Sequence, residues 1–248
     1  TRGQIVIGNQ AGAGNTSGTN GDWNKIAIGD SAGYCGNSKW NVNQVAIGHR
    51  AGVKNMMPYQ IAIGYGAGNN NQAENQIAIG REAGINSTGF HVGFGQIAIG
   101  DGAAQNCNVA SQIAIGARAG INSSSQNQIA IGTNSGTNSS GMNQIAIGEY
   151  AGNETKNING QIAIGTSAGN KNGGTAQVAI GNGAGENNGA TNQDAMGNGA
   201  GKDNTGESQI ALGTSTGTSN SGIQQIAIGY NAGQSNKGDR QVALGSQA

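Results

Sequence analysis

The sequence predicts an all-β protein, a narrow parallel β-solenoid of about fifteen coils of about 16 residues, with two short strands in each coil. A recurring motif, a nearly fixed interval between its copies and an alternation of side-chain types within it predict this fold. The motif is Gln-Ile-Ala-Ile-Gly, first present at 4–8 as Gln-Ile-Val-Ile-Gly and last at 241–245 as Gln-Val-Ala-Leu-Gly. It occurs fifteen times, and ten of the fourteen intervals between closing glycines are 16 residues long. Self-similarity at a fixed short period is typical of stacked repeat proteins.

Each copy of the motif is predicted to form a β-strand that ends at its glycine. Ile and Val alternate with Gln and Ala, which is the period of two that a strand requires. Ile and Val also favour strands, and the glycine interrupts the run. We expect the Ile face to line the coil interior, and the sequence leaves open that it is partly an intersubunit seam. A second short strand is expected around the Ala-Gly pair, as at Ala83-Gly84, with the small Ala pointing inward opposite the Ile pair.

We expect one domain, 1–248, in which residues 1–100 carry longer loops and residues 101–248 form regular coils. The intervals of 21, 19 and 20 residues all fall in the first part, and insertions in solenoids form loops on one face. These loops hold most of the aromatic residues, which anchor protein interfaces. The candidate partner-contact residues are therefore Trp23, Trp40, Phe90, His91 and Phe94. Alternatively, the segment 84–95 folds back over its own coil.

The sharpest departure from the repeat is Gln-Asp-Ala-Met-Gly at 193–197, where Asp194 occupies an Ile position. A lone buried carboxylate is costly. Asp194 is therefore paired or protonated, or the Ile face is less buried than we expect. Its role is a ligand site or an intersubunit contact, or it is a tolerated local defect.

Composition and charge argue against several function classes. Twelve basic and twelve acidic residues give a net charge of zero, so we expect no electrostatic binding to nucleic acid or to anionic membranes. No apolar stretch is long enough for membrane insertion. Neither histidine, His49 or His91, has a nucleophile in a catalytic context, and the carboxylates are scattered. We therefore expect no enzymatic activity, no catalytic residues, no cofactor and no metal site.

Asn-x-Ser/Thr triplets lie in predicted corners and are candidate glycosylation sites. They are Asn15, Asn86, Asn122, Asn138 and Asn153. In a chain rich in Asn, Ser and Thr such triplets also arise by chance. The two cysteines, Cys35 and Cys107, lie four coils apart, which is too far for a disulfide between them.

The segments 75–80 and 143–148, both Asn-Gln-Ile-Ala-Ile-Gly, resemble the head repeats of YadA-like trimeric autotransporter adhesins. Related repeats occur in some phage tail fibres. The family pattern is Asn-Ser-Ile/Val-Ala-Ile-Gly, so this chain has Gln in place of Ser. The resemblance implies a left-handed parallel β-roll, trimerisation about a common axis, a surface-exposed position, and adhesion to host or matrix molecules. It carries over no binding residue, because the family has no short binding motif that matches here.

We expect a non-enzymatic structural or adhesive protein, extracellular or on the cell surface, that forms a fibre or filament. Its partner is expected to be itself, as a homotrimer or a head-to-tail filament, because both ends of the sequence are ordinary repeats without polar caps. Two alternatives stay open. One is an ice-binding solenoid, in which the Gln/Ala row is the regular outward array. The other is a carbohydrate-binding module like those of phage fibres, which uses the aromatic loops.

Overall fold

The computed structural model describes residues 3–14, 24–34, 43–55, 58–72, 74–87, 95–107 and 111–248. The chain divides into two compact units, Thr1–Ser123 and Ser124–Ala248. In each unit the chain winds in parallel, stacked coils as a β-solenoid, which confirms the predicted fold class. None of the residues within these ranges is helical.

In the first unit, each of the seven copies of the motif forms a strand of three or four residues. Neighbouring strands pair in parallel and in register, so that Ile61 lies beside Ile77 and Ala62 beside Ala78. The strands are β1 (Ile5–Ile7), β2 (Ile26–Ile28), β3 (Gln44–Ile47), β4 (Gln60–Ile63), β5 (Gln76–Ile79), β6 (Gln96–Ile99) and β7 (Ile113–Ile115).

In the second unit, the remaining eight copies form the main parallel sheet, and three further strands form a small second sheet. The main sheet consists of β9 (Ile129–Ile131), β11 (Ile145–Ile147), β13 (Ile162–Ile164), β14 (Gln177–Ile180), β15 (Gln193–Met196), β16 (Gln209–Leu212), β17 (Ile226–Ile228) and β18 (Val242–Leu244). The second sheet consists of β8 (Ser124–Gln126), β10 (Ser140–Met142) and β12 (Ile158–Asn159).

The Gln and Ala of the motif line the interior, and the Ile positions face outward, so the predicted orientation of the strand was wrong. In β11, Gln144 and Ala146 are each 2% exposed, whereas Ile147 is 36% exposed. The physical reason is the width of the coil. A Cβ placed on Gly152 would lie 3.1 Å from the Cβ of Ala146, so the two walls of the coil are in contact. There is no space between them for an Ile side chain.

The Ala-Gly pair lies in a turn, whereas the sequence placed it in a second strand. Ala83 is completely buried, as predicted, and Gly84 has a φ of 62°. Among the described residues, a second strand per coil is present in three successive coils of the second unit, further along the repeat, as β8, β10 and β12. The inward position of the small Ala therefore does not depend on a strand.

Buried Gln side chains hydrogen-bond from one coil to the next. The Gln76 Nε2 donates to the Gln96 Oε1 at 2.6 Å, and the Gln96 Nε2 donates to the Gln112 Oε1 at 3.2 Å. In the second unit the Gln128 Nε2 donates to the Gln144 Oε1 at 3.3 Å. Buried polar groups are tolerated when they are hydrogen-bonded in this way. The interior therefore accommodates amides that an ordinary apolar core would exclude.

The chain turns sharply at the closing glycine of the motif. Gly165, for example, has a φ of 129°, and a Cβ placed on it would lie 2.5 Å from the carbonyl oxygen of Gly181 in the next coil. Both the backbone conformation and this close approach require glycine. The glycine thus sets where each strand ends and how closely the next coil stacks.

Candidate functional site, an outward apolar stripe

The outward positions of the motif form two adjacent rows of apolar side chains on the main sheet of each unit. We call these rows the apolar stripe. In the first unit they are Ile5, Ile7, Ile26, Ile28, Val45, Ile47, Ile61, Ile63, Ile77, Ile79, Ile97, Ile99, Ile113 and Ile115. In the second unit they are Ile129, Ile131, Ile145, Ile147, Ile162, Ile164, Val178, Ile180, Met196, Ile210, Leu212, Ile226, Ile228, Val242 and Leu244.

The stripe is partly exposed to solvent along both units, although it contains most of the large aliphatic side chains of the chain. Ile164 and Ile210 are each 37% exposed, and Met196 is 43% exposed. The alanines that alternate with them are buried, except Ala243 in the last strand, which is partly exposed. The parallel register places like residue beside like, so that Ile145 lies beside Ile129 and Ile162. The result is a regular apolar surface rather than scattered exposed residues.

The stripe is comparable in size to the largest apolar patch of a typical monomeric protein. The second unit contributes eight strands spaced about 4.8 Å apart, and the stripe across them is about 10 Å wide. Its projected area in the second unit alone is therefore roughly 400 Å². The largest apolar patch on a typical monomer measures about 300 to 600 Å² and often has a function. A β-branched sheet face of this size is a candidate interface, because covering it removes apolar surface from water.

Asp194 is the one charged residue at an outward strand position of the second unit, within a strand row that is otherwise apolar. Asp194 is exposed, and in the sheet it is paired with Val178 on one side and with Ile210 on the other. Of the alternatives that the sequence left open for Asp194, the one in which the Ile face is less buried than expected is confirmed. The ion pair of the same region joins Lys202 to Glu186 at 2.8 Å, and the hydrogen bond to Glu186 raises the pKa of Lys202.

In the first unit a row of charged and aromatic residues follows the closing glycines. The His49 Nε2 lies 3.3 Å from the Asp30 carboxylate, and the His49 ring stacks on Tyr65 with 5.2 Å between centroids. Further along the row, the Arg81 guanidinium lies 2.7 Å from Asp101, and this hydrogen bond raises the pKa of Arg81. These pairs are exposed, so their contribution to stability is small. This row was not predicted from the sequence, although the residues that follow the closing glycines recur at the spacing of the coils.

The candidate partner-contact residues from the sequence all lie outside the described residues. They are Trp23, Trp40, Phe90, His91 and Phe94. Their role stays a prediction. The loops that carry them belong to the first unit, as does Cys35, which also lies outside the described ranges.

The structure describes four of the five candidate glycosylation sites, and Asn15 lies outside the described residues. Asn86, Asn122 and Asn138 are exposed, and Asn153 is partly exposed. Two of them belong to an exposed amide ladder, in which the Asn86 Nδ2 donates to Asn106 at 3.2 Å and the Asn106 Nδ2 donates to Asn122 at 3.1 Å. Their accessibility is compatible with modification, which stays a prediction.

The chemistry of the remaining described residues is sparse. No group of three or more His, Cys, Asp or Glu side chains that could hold a metal ion occurs among them. The same residues include no helix long and apolar enough to cross a membrane. Cys107 is a buried free thiol whose Sγ lies 2.7 Å from the carbonyl oxygen of Gly120, and burial raises its pKa to about 11. A thiol held in its neutral form is a poor nucleophile.

Comparisons of the chain with protein-family models, with curated proteins and with solved structures find no match.

Proposed function

We propose that the chain is a non-enzymatic structural or adhesive protein that self-associates through its apolar stripe, as a homotrimer about a common axis. The observation that carries the proposal is the outward position of the Ile rows, which leaves a regular apolar surface of roughly 400 Å² on the second unit alone. The resemblance of the repeat to YadA-like adhesin heads supports the same assembly. It also supports a position outside the cell or on its surface.

Lateral association fits the stripe better than head-to-tail stacking does. The stripe lies on the outer face of the strands, whereas head-to-tail stacking would cover the first and last strands of a sheet. Closed cyclic symmetry lets identical surfaces cover one another. An axis parallel to the stacking direction places each coil beside the same coil of its partners, so that Ile meets Ile in every layer.

Adhesion to host or matrix molecules is proposed as the role of the assembled protein. With the stripe covered, the surfaces that stay free are the turns and the polar ladders, such as the Asn86 to Asn122 row. The aromatic loops of the first unit are the other candidates for the contact.

The proposal is tested by the mass of the protein in solution, measured by sedimentation velocity and mass photometry. The test variant is Ile147→Lys with Ile164→Lys, which places two charges in the stripe. The control is Asn138→Lys with Asn187→Lys, two exposed positions on a row where Lys54 and Lys171 already adopt the same positive φ. We expect a trimer for the wild type and the control, and a monomer for the stripe variant. A trimeric stripe variant, or a monomeric wild type, contradicts the proposal.

A second candidate function, ice binding, is favoured by the regularity of the stripe. The Gln/Ala row cannot be the ice-binding surface, because it is buried. The Ile rows instead provide a repeated array of methyl groups, with one pair of apolar side chains from the strand of each coil. Thermal hysteresis of the monomeric protein, lost in the Ile147→Lys, Ile164→Lys variant and kept in its control, would favour this function over self-association.

A further inference from the structure

We propose that Asp194 makes association through the apolar stripe dependent on acid: its ionised carboxylate opposes association and its protonated form permits it. The inference rests on the proposed function, because it needs the stripe to be covered by further copies of the chain. It assigns a regulatory role to the residue that departs most sharply from the repeat.

The first step is the position of Asp194 in the stripe. It lies in β15 between Val178 of β14 and Ile210 of β16, with Met196 beside it on the same strand. The strands packed against β15 consist of Gln177, Val178, Ala179 and Ile180 on one side and of Gln209, Ile210, Ala211 and Leu212 on the other. Neither strand contains a titratable side chain. Asp194 is therefore surrounded by apolar and uncharged groups within its sheet.

The second step is the lack of a counter-charge. Among the residues that the structure describes, Asp194 forms no ion pair, and the chain carries no charged residue within four positions on either side of it. The nearby cation Lys202 is already paired with Glu186 at 2.8 Å. When the stripe is open, water solvates the carboxylate. When it is covered, nothing in this unit replaces that water.

The third step follows from the symmetry of the assembly. About an axis parallel to the stacking direction, each Asp194 faces the Asp194 of its partners. Like charges brought together in a dry site strongly disfavour the ionised form. A protonated carboxyl both donates and accepts a hydrogen bond, so protonated copies satisfy one another. Acidification therefore removes the main free-energy cost of covering the stripe with partner copies at this coil.

The general effect of acid on this chain has the opposite sign. With twelve basic and twelve acidic residues the net charge is zero at pH 7, so protonation of carboxylates makes the whole chain positive. Self-repulsion then opposes association. Association that strengthens on acidification thus identifies a particular carboxylate rather than overall charge.

The test compares the wild type, Asp194→Asn and Asp203→Asn by sedimentation velocity at about pH 7.5 and about pH 4.5. Asp194→Asn removes the charge and keeps the shape. Asp203→Asn is the matched control, because Asp203 is an exposed carboxylate of the same coil that accepts a hydrogen bond from Asn187 at 3.1 Å. Circular dichroism at both pH values verifies that every sample is folded.

We expect the wild type and Asp203→Asn to associate at least about tenfold more tightly at the lower pH, and Asp194→Asn to associate tightly at both. Wild-type association that is independent of pH, or a pH response kept by Asp194→Asn, overturns the inference. The Ile147→Lys, Ile164→Lys variant separates the two proposals. If that variant associates like the wild type, the stripe is not the interface and both proposals fail. If that variant is monomeric and wild-type association does not depend on pH, only the proposed role of Asp194 fails.

Discussion

The inner and outer faces of the same strand differ in what limits their side chains. On the inner face of β14, Gln177 and Ala179 are each 1% exposed, and a Cβ on Gly185 would lie 3.2 Å from the Cβ of Ala179. On the outer face, Ile180 is 37% exposed. The inner face is therefore limited by volume and by hydrogen bonding, whereas the outer face stays partly exposed among the residues that the structure describes. In a coil this narrow, size rather than hydrophobicity decides which side chain lies inside.

The largest effect is expected from enlarging an inner side chain. Ala179→Leu adds three carbons where the opposite wall is in van der Waals contact, so the coil must open or the side chain must leave. We expect a loss of at least about 3 kcal/mol in the free energy of unfolding, measured by urea denaturation.

Ile180→Phe is the matched control, because it adds three carbons on the outer face of the same strand. Its free energy of unfolding should stay within about 0.5 kcal/mol of the wild type in dilute, monomeric protein. Equal losses for the two variants would mean that the two faces do not differ in the space available.

A smaller, pH-dependent effect should come from the buried thiol of Cys107. Above the ordinary thiol pKa of 9.0 the unfolded chain loses this proton, while the folded chain keeps it up to about pH 11. The stabilising contribution is thus complete below pH 9 and is lost as the pH rises towards 11. The shift corresponds to about 2 to 3 kcal/mol.

Cys107→Ser should remove this alkaline sensitivity. Ser139 occupies the same place in another coil, and its Oγ donates to the Gly152 carbonyl oxygen at 2.7 Å, as the thiol of Cys107 does to that of Gly120. Urea midpoints of the two proteins at about pH 8 and about pH 10.5 measure the difference. If the variant loses as much stability as the wild type, the interior does not exclude the thiolate.

The smallest effect is a gain in stability. Lys25 replaces the Gln of the motif in the second coil, is 1% exposed, and donates from its Nζ to the Gly33 carbonyl oxygen at 2.7 Å. No carboxylate among the described residues pairs with it. Because burial of an ammonium is costly, Lys25→Gln should raise the melting temperature by an amount equivalent to about 1 kcal/mol. Lys54→Gln, at an exposed corner, should change nothing; equal shifts would argue against a cost of burial.

The sequence was sufficient for the strands and their stacking, because each depends on local preference and on the fixed interval. The segment Ile145–Ile147 is a strand because Ile favours it, and it pairs with Ile129–Ile131 because the 16-residue interval places them in register. The inside and outside of the strand were assigned the wrong way round, because hydrophobicity was used as the criterion. The signal that predicts the correct orientation is the opposing Ala-Gly pair, which leaves a space that only Ala fits.

The candidate site was less accessible from the sequence. Asp194 was identified as a departure from the repeat, and of the alternatives for it the less buried Ile face is the one that the structure confirms. The stripe itself is a property of two rows in neighbouring coils, which become a surface only when orientation is known. The aromatic loops depend on segments without the repeat, so neither period nor register predicts their contacts.

The uniformity of the interior has a consequence for how such a chain changes over generations. Each coil offers the next one the same Gln amide, the same Ala and the same glycine carbonyl that it receives from the previous one. Duplication or deletion of a whole 16-residue segment therefore leaves every type of contact intact. A single-residue insertion is tolerated where it falls outside the strands, as in the 17-residue interval between Gly148 and Gly165, across which Ile145 still lies beside Ile162. The number of coils is therefore the property of this architecture that can vary most freely. A gene can add or remove whole coils without any compensating substitution.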